Sequence, residues 1–260
     1  MPRHVEAWVD GAALSSLGPY WIQQIYEDAP ALELTEGERP GRAGTLLLTR
    51  KRQQLKVALE TVIAERFDLS SRAHYAEELA RWAAGQGAGP HTLELSNHPE
   101  RRLSVYLTGE PALTEVRNYA AFLRVEWTAY EVPYWEDKSP WTLAVTAGTT
   151  GTDTLTVPGT AETPVSLTVK PTGGTLGSFS VTAGGHTVAL TGLSVSTSDT
   201  LAFERGPRDT LLIRSGSTSL LNKRSAASAD DLLCAPGASA VSFTADAACQ
   251  VTFSVRGRWL

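Results

Sequence analysis

From Leu55 to Ala64 the chain alternates. Leu55, Val57, Leu59, Thr61 and Ile63 fall on one side, with Lys56, Ala58, Glu60 and Val62 between them. A period of two places alternate side chains on opposite faces, so this segment predicts a long strand. Residues 122–130 repeat the pattern, with Leu123, Val125 and Trp127 on one face and Arg124 and Glu126 on the other. Residues 45–50 and 102–107 are further strand candidates. Between them the period changes. Tyr75, Leu79 and Trp82 are spaced by four and three, the stripe of a helix running from about Arg72 to Ala84. Ser70 or Ser71 could cap it, Glu77 precedes Arg81 by the four residues that favour an ion pair, and Gly85, Gly87, Gly89 and Pro90 end it. The stripe reads as core packing against a sheet.

Beyond Pro140 no helical period appears. Strands are predicted at 141–146, 153–157, 164–170, 178–183, 186–191, 200–205, 209–214, 240–245 and 249–256. Gly184-Gly185 joins the fourth and fifth, and two glycines suit the positive φ angles of a tight hairpin. Many short strands at regular spacing indicate a β-sandwich or barrel.

Composition changes at the same place. Residues 1–139 hold 35 of the 51 charged residues, and six of the seven Trp (8, 21, 82, 127, 135, 141) lie at or before Trp141. Thr, Ser, Gly and Val dominate afterwards. The polar segment from Trp135 to Pro140 reads as a linker. The division expected is a β-rich first domain with one helix, 1–138, and a β-sandwich, 139–260. The net charge of −5 lacks the basic excess of a nucleic-acid-binding module. The opening residues carry no apolar signal segment, and no run of about 18 apolar residues predicts a membrane span. Cys234 and Cys249 are too few for a disulfide framework and are expected to be reduced and inert.

The search for chemistry yields no catalytic or metal residue and no cofactor. Gly192-Leu193-Ser194-Val195-Ser196 lacks the last Gly of a nucleophile elbow. Gly85-Gln86-Gly87-Ala88-Gly89 follows a helix, whereas a phosphate loop must open one so that backbone N–H groups face the anion. His4, His74, His91, His98 and His186 are scattered. His91 and His98 flank a short apolar stretch, but no carboxylate or thiol joins them at ligand spacing. Glu126 and Glu131 have opposite parity, Asp230-Asp231 looks like a solvated turn, and Glu36, Glu38, Arg39 and Arg42 form a mixed charge cluster.

Taken in order, these features resemble the distal tail proteins of long-tailed (siphovirus-type) bacteriophages. In the first half the resemblance rests on Arg39-Pro40-Gly41-Arg42-Ala43-Gly44 before a strand, then the long strand, the helix ending at Trp82, and the exit Val132-Pro133-Tyr134-Trp135. In the second half it rests on Pro158-Gly159-Thr160, Pro164 opening Val165-Ser166-Leu167-Thr168-Val169, Pro171-Thr172-Gly173, and Ala235-Pro236-Gly237 leading to Val241 and Phe243. Pro158 and Ala238-Ser239 stand where the family pattern has Asn. The resemblance implies a mainly β fold, with an N-terminal β-barrel-like ring domain and a C-terminal galectin-like β-sandwich. It implies a virion structural protein without enzymatic activity, made in the bacterial cytoplasm and built into the phage tail tip. Its partners would be further copies of itself in a homohexameric ring, the tail tube protein and the tail-tip or baseplate hub proteins. DNA would pass without sequence-specific contact, and no membrane would be entered. The alternative reading is a carbohydrate-binding module for a host-surface glycan. Such a site stacks an aromatic ring on sugar, and the second half offers only Trp141, Phe179, Phe203, Phe243, Phe253 and Trp259. The Phe residues alternate with polar neighbours and read as core; the ligand-binding residues are unknown.

Overall fold

The computed structural model describes residues 5–38, 45–64, 69–87, 89–117 and 120–260. The 39–44 run and His4 lie outside the described residues. Two compact units emerge, Met1–Trp135 with Leu260, and Glu136–Trp259.

The first unit is a curled sheet holding one helix. Its strands are β1 (Ala7–Val9), β2 (Ala12–Ala13), β3 (Tyr20–Asp28), β4 (Leu32–Gly37), β5 (Leu46–Arg52), β6 (Leu55–Ala64), β7 (His91–Leu95), β8 (Arg101–Arg117) and β9 (Ala120–Ala129). The main sheet runs β2-β1-β7-β8-β9-β6-β3, while β4 and β5 pair only with each other. Asp10 and Gly11 both take positive φ, 50° and 82°, which closes the two-residue turn between β1 and β2. The helix α1 (Leu69–Ala83) begins three residues before the expected start. Ser70 and Ser71 therefore lie inside it and cannot be its N-cap. The expected stripe is core: Leu79 and Trp82 are buried. Trp82 meets Trp127 edge-on at 5.9 Å. Each indole N–H then finds a carbonyl, Trp82 on Ala12 (2.8 Å) and Trp127 on Ala83 (3.0 Å). Two large rings are thus buried without an unpaired donor.

A short ladder of β10 (Trp135–Asp137) with β20 (Arg258–Trp259) lies outside the sandwich of the second unit, which is built from β11 (Trp141–Val157), β12 (Thr163–Pro171), β13 (Leu176–Ala183), β14 (His186–Val195), β15 (Leu201–Arg205), β16 (Leu211–Ser215), β17 (Thr218–Ser219), β18 (Leu233–Cys234) and β19 (Gly237–Val255). The expected strands 141–146 and 153–157 are one strand, β11, and 240–245 and 249–256 are one strand, β19. The two pair from Trp141↔Val255 to Val157↔Gly237, with register shifts between Val145 and Thr150. Those shifts bend the ribbon instead of ending it. The first part of β19 pairs β13, and the last part pairs β12. One ribbon therefore serves both sheets, the way sandwich corners are made. Gly184 and Gly185 adopt φ of 57° and 87° and close the expected hairpin, Ala183 opposite His186. Phe179, Phe203, Phe243 and Phe253 are all buried, with Phe179 6.0 Å from Phe203 and 6.1 Å from Phe243.

Residues 136–138 belong to this second unit, whereas the sequence boundary put them in the first. Asp137 N–H donates to Gly257 O (3.0 Å), and Arg256 donates to the Asp137 carbonyl (3.0 Å) and to Lys138 O. Trp259 Nε1–H donates to Asp137 Oδ1 (2.8 Å). Buried Arg258 binds Glu136 (3.3 Å) and Asp209 (2.7 Å). The polar composition that suggests a linker is consumed in pairing to the last strand.

Candidate assembly surface

One face of the β3-β6-β9-β8 sheet holds α1, and the other faces outward with a mixture of charged, hydroxyl and aromatic side chains. Register assembles it in rows. Asp28, Lys56, Thr128 and Tyr106 lie side by side; next come Tyr26, Ala58, Glu126 and Gly109; next Gln24, Glu60 and Arg124; last Trp21, Val62 and Phe122. These are the residues left over when Leu59, Val125 and Trp127 take the core face.

The charged rows interlock. Tyr26 O–H donates to Glu60 Oε2 (3.0 Å), and this bond pushes the phenol above its ordinary pKa. The Arg124 guanidinium lies 4.8 Å over the Tyr26 ring and donates to Glu126 Oε1 at 2.8 Å. The hydroxyls of Thr108 and Thr128 pair at 3.0 Å. Tyr106 stands 5.9 Å from Tyr130 and donates to Glu131 (3.3 Å). Small Ala58 lies in a depression of about 240 Å³ lined by Tyr26, Lys56, Arg124, Glu126 and Tyr130 among others. It offers aromatic edges, fixed charges and hydrogen-bonding groups. Among the described residues no group of three or more His, Cys, Asp or Glu could hold a metal ion.

The histidines of the sequence search acquire partners. His91 Nδ1 sits 2.8 Å from Asp10 Oδ2. Asp10 also accepts from Thr92 N–H (2.9 Å) and Gln86 N–H (3.3 Å). Burial opposes ionisation of Asp10, but these bonds outweigh it and hold the carboxyl below its ordinary value. His98 Nε2 lies 3.0 Å from Glu27 Oε2, Asn97 donates to the other oxygen (3.0 Å), and the His98 ring rests 4.9 Å from Trp135. Both pairs fasten turns of the first unit. From the Gly85–Gly89 run, Gln86 contributes its N–H to the Asp10 clamp. Asp231 is no solvated turn: it holds Arg205 through two contacts, 2.6 Å and 2.7 Å. Asp230 is exposed. The cluster at Glu36, Glu38, Arg39 and Arg42 is described only in part, with Glu36 at the end of β4.

In the second unit Cys234 and Cys249 are buried and free. Burial raises both thiols, Cys249 to about 11. Trp141 is its one large exposed aromatic among the described residues, and Trp259 spends its indole N–H on Asp137.

No family model matches the sequence. No curated protein matches it either. Solved structures do match. The SPP1 Dit protein, described as a paradigm of the hub adsorption apparatus in phages infecting Gram-positive hosts, superposes with a TM-score of 0.68 at 13% identity, over 97% of this chain and 98% of that one. This chain has the Dit fold. A chain of the phage P2 baseplate in its activated conformation with calcium aligns over 97% of this chain and 98% of its own at 8% identity, with a TM-score of 0.49 that adds no weight. The mainly β architecture implied by the resemblance to distal tail proteins is the one found. Coverage near the full length of both chains matches the order of both units, and not one module alone.

Proposed function

We propose that this chain is a structural hub of a phage tail tip or baseplate. Copies close into a ring of six that joins the tail tube to the host-recognition apparatus. The observation that carries this reading is the end-to-end match to the SPP1 Dit protein. The outer face of the first unit supports it, because a ring needs a surface rich in aromatic and charged anchors to meet a different surface on the next copy. The chain performs no chemistry in this reading, and its place is the virion. Light scattering and negative-stain microscopy of the full chain test it: closed rings with a central opening are expected, and a strict monomer at every concentration overturns it. The glycan-binding alternative finds one exposed aromatic, Trp141, where a sugar platform needs a ring flanked by polar groups. Binding of the isolated second unit on a glycan array, lost on Trp141→Ala, would favour it.

A further inference from the structure

A sheet edge presents unpaired N–H and C=O groups on which another strand can add. In the second unit β17 ends its sheet with only two residues, and β11 is bent by register shifts between Val145 and Thr150. The edge strand β14 has neither defence, since its pairing with β13 runs without a shift from His186 to Thr191. Instead the segment 224–229 occupies the backbone groups that point away from β13. Ser225 N–H donates to Ala189 O (2.9 Å), and Ala229 N–H donates to Thr187 O (2.7 Å). The Ser228 hydroxyl accepts from Ala189 N–H (3.0 Å) and donates to Ala189 O (3.1 Å). The segment also closes on itself. Ser228 N–H donates to Ser225 O (3.1 Å), and the Arg224 guanidinium donates to Ala229 O (2.5 Å). Further along the edge, Lys223 Nζ lies beside Gly192.

We propose that this strap is an edge cap, which withholds β14 from antiparallel pairing with β14 of a second copy of the chain. The strap gives the sandwich hydrogen bonds along the edge, but none of residues 224–229 adds a buried side chain to the core. An uncapped β14 fits itself. A two-fold pair centred on Ala189 sets Thr187 opposite Thr191, and the outward N–H and C=O groups of each residue then meet their counterparts. Thr187, Ala189 and Thr191 are small and uncharged, so neither bulk nor like charge opposes that pairing. The strap takes the same groups first, and a lysine beside the edge deters strand addition further. The cap belongs to the second unit alone and holds whatever the first unit assembles into.

The test uses the full chain. Ser225→Pro with Ser228→Ala removes the bonds to Ala189. Arg224 already has φ −66° and ψ 139°, which suits a residue before proline. Light scattering at matched concentrations should show this variant in particles of at least about twice the wild-type mass, growing with concentration. Adding Thr187→Lys with Thr191→Lys sets like charges opposite each other in the two-fold pair and should restore the wild-type mass. Adding Ala240→Lys with Thr244→Lys instead puts the same charge on exposed positions of the interior strand β19 and should leave the large particles. Thermal unfolding checks that each variant is folded, and Ser228→Ala with Lys223→Ala replaces the first variant where it melts early. A mass equal to wild type at every concentration overturns the cap. So does restoration by the β19 lysines as complete as that by the edge lysines.

Discussion

The two units solve the same problem, a sheet with one wet face, in opposite ways. On the outer face of the first unit, rows such as Tyr26–Ala58–Glu126 and Gln24–Glu60–Arg124 carry rings and charges of both signs. The second unit has rows of Thr150–Thr244–Ser180–Ala189 and Thr152–Ser242–Thr182–Thr187, with no charge and nothing larger than threonine. Threonine satisfies strand propensity and hydrates easily, but it gives a partner little to grip. Arginine over tyrosine beside two carboxylates gives a great deal. The charge step near Pro140 therefore separates a face crowded with rings and charges from rows of small hydroxyl side chains, while the charge of the other sandwich sheet sits in rows such as Thr252–Thr168–Ala202–Arg214.

The largest effect expected on this comparison is structural. Trp82→Ala should cost the first unit about 3–5 kcal/mol, because it opens a cavity against Trp127 and leaves Ala12 O without its donor. Denaturant unfolding followed by tryptophan fluorescence measures it, and a loss below about 1 kcal/mol would show that the helix is not core. In the second unit the sensitive group is Cys249. Its folded pKa is raised to about 11 from 9.0, so the stability it contributes is complete below pH 9 and is lost as pH rises through 11. The second unit should weaken by about 2 kcal/mol over that window. Cys249→Ala should flatten the profile, and alkylation should label both cysteines only after denaturation. Asp10→Asn acts on the first unit by about 1–2 kcal/mol, since the carboxylate accepts from Thr92, Gln86 and His91 together. Its folded pKa is lowered from 3.8, so wild type keeps this stability above pH 4 and loses it as pH falls further; the variant should lack that acid loss. The smallest effects compare the faces. Thr152→Lys should change stability by less than about 0.5 kcal/mol and leave assembly unchanged. Glu126→Lys should be equally mild for stability yet weaken assembly about tenfold.

What could be read from the sequence followed from unbroken local pattern. Alternation is clean through β6 and β9, the three–four spacing is clean from Tyr75 to Trp82, and Gly184-Gly185 can hardly be anything but a turn. Where the chain breaks pattern, reading failed. In β3 a register shift between Ile22 and Gln24 interrupts the alternation, so Tyr20–Asp28 gave no strand signal although it forms the sheet edge. The bend near Gly148 made one strand look like two. The clamps at His91 and His98 were invisible because their carboxylates lie 81 and 71 residues away, which no spacing rule reaches. The outer face was half legible: the parity of Arg124 and Glu126 was evident, but Tyr26 joined them only through a ladder between distant strands. The helix start and the division at 135 were blurred for a simpler reason, since polar residues can cap, link or pair equally well until a partner is known.

The central claim is that assembly belongs to the first unit. Native mass spectrometry of residues 1–135 and of residues 136–260, each beside the full chain, tests it most directly. The account predicts that 1–135 forms the same closed oligomer as the full chain while 136–260 stays monomeric. A monomeric 1–135 fragment that is folded by circular dichroism, or an oligomer of 136–260, would contradict it.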